Sequence, residues 1–139
     1  MVVVSLRVLR ILAVRTTNQH NAGHKVEVAG TKYRFHLIPI GILRPNVTCV
    51  ICPGVVIDPL KTLEEIDGLL GQGVAIESNL KLSSNASVVF PYHRMLDQLA
   101  ESKAADAKIG TTGRGIGPCY ADKANRSTAI RLADILDDA

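Results

Sequence analysis

A β-hairpin is the strongest local structure signal in this chain. Residues 25–28 and 32–38 each alternate apolar and polar side chains, and Ala29-Gly30 stands between them. Alternation with a period of two is typical of a strand with one buried face, and a short glycine-containing break predicts a tight turn. We therefore expect two antiparallel strands in this part of the chain.

The segment after the hairpin predicts buried strands that lead into a helix. Val47–Ile51 and Val55–Ile57 are short apolar runs, which is typical of strands covered on both faces. Asp58-Pro59 then indicates a helix start, because an Asp side chain caps free N–H groups and proline fits the first helical turn. The helix is expected to stop near Gly71 or Gly73.

The remaining elements complete a mixed α/β pattern. A second helix is predicted from its spacing, with Met95, Leu96 and Leu99 on one face. Periodicity does not decide whether residues 1–15 form a strand or a short helix. The other predicted segments are a helix start near Pro91, a linker at 102–106, a glycine-rich loop at 109–118 and a helix-like stretch at 129–136.

Composition narrows the class of protein. A chain of 139 residues with 47 % hydrophobic residues can form one ordinary globular domain. A net charge of +3 and an aromatic content of 4 % argue against a nucleic-acid partner. No apolar stretch is long enough to span a membrane, and residues 1–15 do not resemble a secretory signal. A cytoplasmic location is expected, with an arginine-bearing organellar presequence as the alternative.

The three cysteines do not predict a disulfide framework, because their number is odd. Cys49 and Cys52 form a C-x-x-C spacing, which is found in redox pairs and in zinc sites. Cys49, however, lies in a predicted buried strand, and no second pair of cysteines or histidines follows. We expect small buried residues here and keep a redox role as the alternative.

The glycine-rich segment IGTTGRGIGP, residues 109–118, is a candidate phosphate-binding loop. Its four glycines expose backbone N–H groups, Thr111 and Thr112 add hydroxyl donors, and Arg114 adds a guanidinium group. The segment matches neither of the standard nucleotide-binding fingerprints. A flexible linker is the alternative interpretation.

Three further groups of residues are weaker candidates. NAGH, residues 21–24, places a histidine beside a glycine, which suits proton transfer or phosphate contact, although a solvated loop is the alternative. Residues 122–126 and Arg131 could complete an anion site or form a charged helix face. His36 and His93 lie beside apolar residues and are expected to be satisfied histidines of the core or of an interface.

The motifs in combination resemble a known family. NAGH, FHLIPIGILRPNVTCVI, GVVIDP, PYHRMLD, IGTTGRGIGP and YADK resemble, in this order and spacing, the N-terminal third of adenylosuccinate synthetase. The resemblance implies part of a large mixed central sheet flanked by helices, in a P-loop-NTPase-like synthetase fold that is incomplete here. It divides the chain into a divergent segment, 1–19, and a partial synthetase domain, 20–139.

The resemblance also implies a reaction and its residues. GTP phosphorylates the 6-oxygen of IMP with one Mg²⁺ per subunit, and the amine of L-aspartate then displaces phosphate to give adenylosuccinate. His24 matches the catalytic histidine, and Gly23 matches a residue whose carbonyl binds the metal. Arg126 matches an arginine donated across a homodimer interface. The implied IMP contacts are Asn21, Ala22, Gly23, His24, Thr112 and Arg126, and the implied GTP contacts are Gly23, His24 and Lys25.

Two departures from the family pattern affect the expected activity. Residues 1–19 contain no counterpart of the family's Gly-Asp-Glu-Gly-Lys-Gly-Lys phosphate loop, and Lys25 stands where the family usually has threonine. Losing one oxyanion donor costs about 10²–10³ in rate, so the isolated chain is expected to be inactive. The alternatives are a non-catalytic module that binds IMP or phosphate, a partner of an intact subunit, and a frameshift or misplaced start within 1–19.

Overall fold

The computed structural model describes residues 11–15, 24–103, 113–125 and 128–136, and for residues 11–15 it describes the backbone alone. The strands are β1 (Ile11–Arg15), β2 (His24–Val28), β3 (Thr31–Phe35), β4 (Val47–Ile51), β5 (Val56–Ile57), β6 (Leu80–Leu82) and β7 (Ser87–Val88). The helices are α1 (Pro59–Gly71), α2 (Pro91–Lys103), α3 (Ile116–Ala124) and α4 (Leu132–Leu136), with a 3-10 helix at Ile40–Leu43.

The strands form three small sheets that mix parallel and antiparallel pairing. β4 lies between β1 and β6 and is parallel to both, β5 pairs with β7 in parallel, and β2 pairs with β3 in an antiparallel hairpin. The alternating burial of β4 places Val47, Cys49 and Ile51 in the core. This architecture confirms the predicted α/β class, and it resolves residues 11–15 as a strand.

The hairpin has the two-residue turn that its sequence predicts. Ala29 and Gly30 both have positive φ, at 50° and 80°, which is the conformation of a type I′ turn. Such a turn matches the right-handed twist of the flanking strands. The turn therefore fixes the register that pairs His24 with Phe35 and Lys25 with Arg34.

The first helix begins where the sequence places it. The side chain of Asp58 accepts a hydrogen bond from the backbone N–H of Lys61, and Pro59 occupies the first turn. The helix ends at Gly71, and Gly73 follows with a φ of 81°. Leu69 packs from this helix into the main hydrophobic cluster, whose other fully buried members include Phe35, Ile38, Ile42, Val47 and Cys49.

The second helix buries its polar face. His93 and Asp97 are 2 % and 7 % exposed, whereas Met95, Leu96 and Leu99 are at least half exposed. The three apolar residues do share a face, as predicted, but that face points away from the described core. His93 and Asp97 face α3 instead.

Three segments differ from the sequence prediction at their ends. Helix α2 continues to Lys103, where the sequence predicted a linker from residue 102. The loop predicted at 109–118 gives way to helix α3 at Ile116, and residues 104–112 lie outside the described part. The last helix begins at Leu132 rather than 129, because the carbonyl of Ile130 accepts the N–H of Val88 and Arg131 forms a bridge with Ser87. Within the described residues, no helix has the length and apolar character to cross a membrane.

Candidate functional site

A cavity of about 680 Å³ lies where the hairpin, α1, α2 and the end of the glycine-rich loop meet. Its volume is within the usual range for small-molecule sites. The hairpin side contributes Arg34 and His36, and the loop contributes Gly113 and Arg114. The two helices supply the remaining walls, among them Asp58, Lys61, Glu64, Glu65, Gln72, Arg94 and Gln98.

The end of the NAGH motif lies on the hairpin next to this cavity, although neither His24 nor Lys25 is among the lining residues. β2 begins at His24, and its register places His24 opposite Phe35 and Lys25 opposite Arg34. Neighbouring strands are about 5 Å apart, so His24 and Lys25 lie one strand away from Arg34 and His36. Directly paired residues share one face of a hairpin, so Lys25 shares the face of Arg34, whereas His24 shares the face of Phe35, which is buried in the core.

The carboxylates around the cavity already have ion-pair or hydrogen-bond partners within the chain. Asp58 forms an ion pair with Arg94, and Glu64 forms an ion pair with Lys61 at 2.6 Å. Glu65 accepts from consecutive backbone N–H groups in the segment after β3. Four arginine and lysine side chains line the cavity against three carboxylates, which favours an anionic ligand over a cationic one.

His36 has one ring nitrogen without a partner. Its Nδ1 atom is buried, and no group in the described ranges hydrogen-bonds to it. The sequence predicted a satisfied histidine, and for this atom the prediction was wrong. Buried polar atoms are usually hydrogen-bonded, so a cavity-lining imidazole nitrogen of this kind is suited to contact a ligand or an ordered water.

The carboxylate of Asp122, on α3, accepts hydrogen bonds from three side chains. His93 Nδ1 accepts from the N–H of Phe90, so the proton lies on Nε2, which donates to Asp122 at 3.0 Å. The hydroxyl groups of Tyr92 and Thr128 donate to the same carboxylate. The bonds from Tyr92 and His93 lower the pKa of Asp122, while burial and the nearby carboxylate raise the pKa of Tyr92 to about 12.

The basic residues beyond the loop make structural contacts. The ammonium group of Lys123 donates to the carbonyl groups of Pro53 and Val55, and burial lowers the pKa of Lys123. Arg131 donates to Asn85 at 3.3 Å. In this region the described part of the chain favours a packed helix face over an anion site, and Arg126 lies outside it.

The burial of the cysteines supports the interpretation that they are small structural residues. Cys49 is fully buried in β4, and burial raises the pKa of its thiol. Cys119 of α3 is also buried, and its pKa is raised to about 11, chiefly by burial. Cys52 is half-buried, and all three are free thiols. A reactive thiolate requires a lowered pKa, so the raised pKa of Cys49 and of Cys119 argues against a redox role for either.

Only two of the predicted site residues lie in the described ranges. His24 is half-buried at the start of β2, and Lys25 is exposed beside it. Asn21, Ala22, Gly23, Thr112 and Arg126 lie outside the described residues, so their roles stay predictions.

The structure adds residues that the sequence did not single out. Arg34 and Glu65 sit in ordinary strand and helix patterns, which give no signal of a cavity. Asp97 is different, because it ends the PYHRMLD motif that carried part of the family resemblance. Its carboxylate holds the backbone of Gly115, at the end of the glycine-rich loop.

Known proteins are similar in sequence to most of this chain. A model of the adenylosuccinate synthetase family matches residues 5–139, which takes in most of the segment 1–19 that the motifs set apart. The adenylosuccinate synthetases of Desulfatibacillum aliphaticivorans and Symbiobacterium thermophilum are each 52 % identical, over 92 % and 91 % of this chain. The chain spans only 30 % and 29 % of their lengths. The proposed division at residue 20 stays a prediction.

Solved structures share its fold. The fully ligated adenylosuccinate synthetase of Plasmodium falciparum is 37 % identical, with a TM-score of 0.77 over 90 % of this chain and 29 % of that protein. The succinoaminodeoxyadenylate synthetase of cyanophage S-2L, bound to dGMP and dATP, is 27 % identical, with a TM-score of 0.65 over 96 % and 36 % of the two chains. The sequence, the order of its motifs and the fold agree, and the chain belongs to the adenylosuccinate synthetase family.

Proposed function

We propose that this chain supplies the IMP-binding part of a GTP-dependent ligase that joins IMP to L-aspartate, the first committed step of AMP synthesis from IMP. Family membership supports the reaction. One observation supports the assignment of IMP binding to this chain. Arg34 and His36 line the same cavity as Gly113 and Arg114 of the glycine-rich loop. The strand that begins at His24 pairs with the strand that carries Arg34.

The proposed residue roles follow the chemistry of phosphoryl transfer, which depends on positioning and on charge neutralisation. His24 polarises or protonates at the 6-oxygen of IMP, a role that imidazole can fill near neutral pH. Asn21 through His24, Thr112 and Arg126 contact IMP, with Thr112 on its phosphate. Gly23, His24 and Lys25 contact GTP. The excess of basic groups around the cavity supports an anionic nucleotide ligand.

The described residues do not fit a self-contained Mg²⁺ site. They include no group of three or more His, Cys, Asp or Glu side chains that could hold a metal ion. The carboxylates at the cavity are committed to Arg94, to Lys61 and to backbone N–H groups. Mg²⁺ is commonly held by nucleotide phosphates with few protein ligands, and the carbonyl of Gly23 is proposed as one of them.

The isolated chain is proposed to bind IMP without turnover. The family's phosphate loop has no counterpart in residues 1–19, so transition-state stabilisation is expected to be lost. Purified chain is incubated with IMP, GTP, Mg²⁺ and L-aspartate, and adenylosuccinate is followed by absorbance. We expect no product. Product formation that persists in the purified chain and disappears in His24→Ala would show that the missing loop is replaced by other groups.

Pairing with an intact subunit is the second candidate function. The observation in its favour is the exposed apolar face of α2, where Met95, Leu96 and Leu99 are at least half exposed. A homodimer is the corresponding prediction from the family, and a cytoplasmic location likewise remains a prediction. Mixing the chain with an intact family member and measuring the mass of the complex tests the pairing. Two separate species at all concentrations would exclude it.

Nucleotide choice needs its own control, because one structural relative is bound to dGMP and dATP rather than to IMP and GTP. We propose IMP as the ligand, since the curated relatives at 52 % identity are adenylosuccinate synthetases. Competition between IMP and dGMP for the purified chain tests this choice. Tighter binding of dGMP would assign the chain to the other substrate.

A further inference from the structure

The burial of Asp97 requires an explanation. Asp97 is 7 % exposed on the buried face of α2, one turn after His93. Removing a carboxylate from water costs free energy unless hydrogen bonds compensate for the lost hydration. An apolar side chain would be the ordinary choice at a buried position of a helix.

Asp97 is bound to the end of the glycine-rich loop. Its Oδ2 atom accepts the backbone N–H of Gly115 at 2.9 Å in a buried setting. Gly115 is the N-cap residue of α3, where the helix dipole favours a negative charge. The carboxylate therefore fixes the point at which the loop becomes a helix.

The loop end lies directly on the backbone of α2. Gly115 has a φ of 75°, and a Cβ atom there would lie 2.7 Å from the backbone N of Arg94 and the carbonyl carbon of His93. Gly113 also has positive φ, at 63°, and packs near Gln98. Two left-handed glycines thus flank Arg114, and glycines give a loop many conformations unless other contacts restrict them.

We propose that Asp97 is a positioning residue that holds Gly113 and Arg114 at the wall of the cavity, for contact with the phosphate of IMP, through its hydrogen bond to Gly115. This inference rests on the proposed function, in which Thr112 contacts the phosphate of IMP. Asp97 acts through the backbone of Gly115, which follows the cavity-lining Arg114, and makes no contact with the ligand itself. His93 has a different role, because it donates a hydrogen bond to Asp122 further along α3.

The test separates phosphate binding from binding of the rest of the nucleotide. IMP and inosine, which lacks the phosphate, are titrated into the wild-type chain, Asp97→Ala and Asp97→Asn. We expect Asp97→Ala to weaken IMP binding by about tenfold while inosine changes by less than about twofold, since one buried hydrogen bond to a charged group is lost. Asp97→Asn keeps an oxygen acceptor and is expected to restore most of the IMP affinity. Asp67→Ala removes an exposed carboxylate from α1 as the matched control.

Other results would overturn the proposal. Unchanged IMP affinity in Asp97→Ala, or an equal loss for IMP and inosine, shows that Asp97 does not act on the phosphate. If the wild-type chain binds neither ligand, the proposed function fails, and amide hydrogen exchange at Gly115 decides the question for the loop. Slow exchange in wild type and Asp97→Asn with fast exchange in Asp97→Ala supports the positioning role. Equal exchange in all three overturns it.

Discussion

The carboxylate of Glu65 accepts a hydrogen bond from the backbone N–H of His36 at 2.8 Å. The N–H groups of Leu37 and Ile38 donate to the same carboxylate, at 2.9 and 3.2 Å. One side chain of α1 thereby satisfies three consecutive donors in the segment that leaves the hairpin. This contact holds Arg34 and His36 at the wall of the cavity.

Replacing Glu65 with alanine is predicted to destabilise the chain. Three partly buried N–H groups would lose a charged acceptor, and the free energy of unfolding is expected to fall by about 3 kcal/mol. Glu64→Ala is the matched control on the same helix, because Glu64 pairs with Lys61 at an exposed position and should change stability by about 0.5 kcal/mol or less. Urea denaturation measures both. Equal losses for the two variants would contradict the role given to Glu65.

Alanine substitution is predicted to lower stability by different amounts at two glycines with positive φ. At Gly30 nothing lies within 4 Å of the new Cβ atom, so Gly30→Ala should cost only the left-handed backbone, about 1 kcal/mol. At Gly115 the Cβ atom would meet the backbone of α2, and the added overpacking should bring the cost to about 3 kcal/mol. The same denaturation experiment tests this order. A smaller loss for Gly115→Ala than for Gly30→Ala would contradict the packing of the loop on α2.

The hydrogen bonds to Asp122 predict a dependence of stability on pH. They lower its pKa in the folded chain, so their contribution is complete above the unfolded value of about 3.9 and is lost as pH falls through the lower folded value. The stability difference between wild type and Asp122→Asn should therefore be constant between about pH 7 and pH 5 and shrink below about pH 4.

Tyr92→Phe is the control for this pH dependence. Removing the hydroxyl donor should move the folded pKa of Asp122 toward its ordinary value, so the stability difference should fall by a smaller total amount than in wild type and the fall should be complete at a higher pH. Denaturation midpoints measured across the acid range provide both curves. A difference that grows as the pH falls would show that the carboxylate is not stabilised in its charged form.

The thiols are predicted to differ in reactivity. Cys49 and Cys119 are buried and have raised pKa values, so neither should react with a thiol reagent while the chain is folded. Cys52 is half-buried and should react first. Labelling of single-cysteine variants, followed by mass spectrometry, measures each rate. Rapid labelling of Cys49 in the folded chain would revive the redox interpretation.

The local elements with their own chemical signals could be predicted from sequence. The alternation on both sides of Ala29-Gly30 predicted the hairpin, and Asp58-Pro59 predicted the start of α1. Both features depend on contacts within a few residues. β6 and β7 gave no such signal, because strands of three and two residues are too short for alternation to be recognised.

The candidate site depended more on distant contacts. NAGH and GTTGRG were recognisable from their sequences, but the cavity walls depend on the pairing of Lys25 with Arg34 and on the packing of Gly115 against α2. The polar face of α2 was missed because Met95, Leu96 and Leu99 form the more obvious stripe. His93 and Asp97 are buried through partners on α3 and at its N-terminus, and spacing along α2 does not reveal them.

Titration of IMP into the purified chain, followed by calorimetry, tests the central claim most directly. The account predicts saturable binding of one IMP per chain, weakened by about tenfold in Thr112→Val because a hydroxyl donor to the phosphate is lost. Saturable binding that Thr112→Val leaves unchanged, or no saturable heat with the wild-type chain, would contradict the assignment of the IMP site to this part of the family fold.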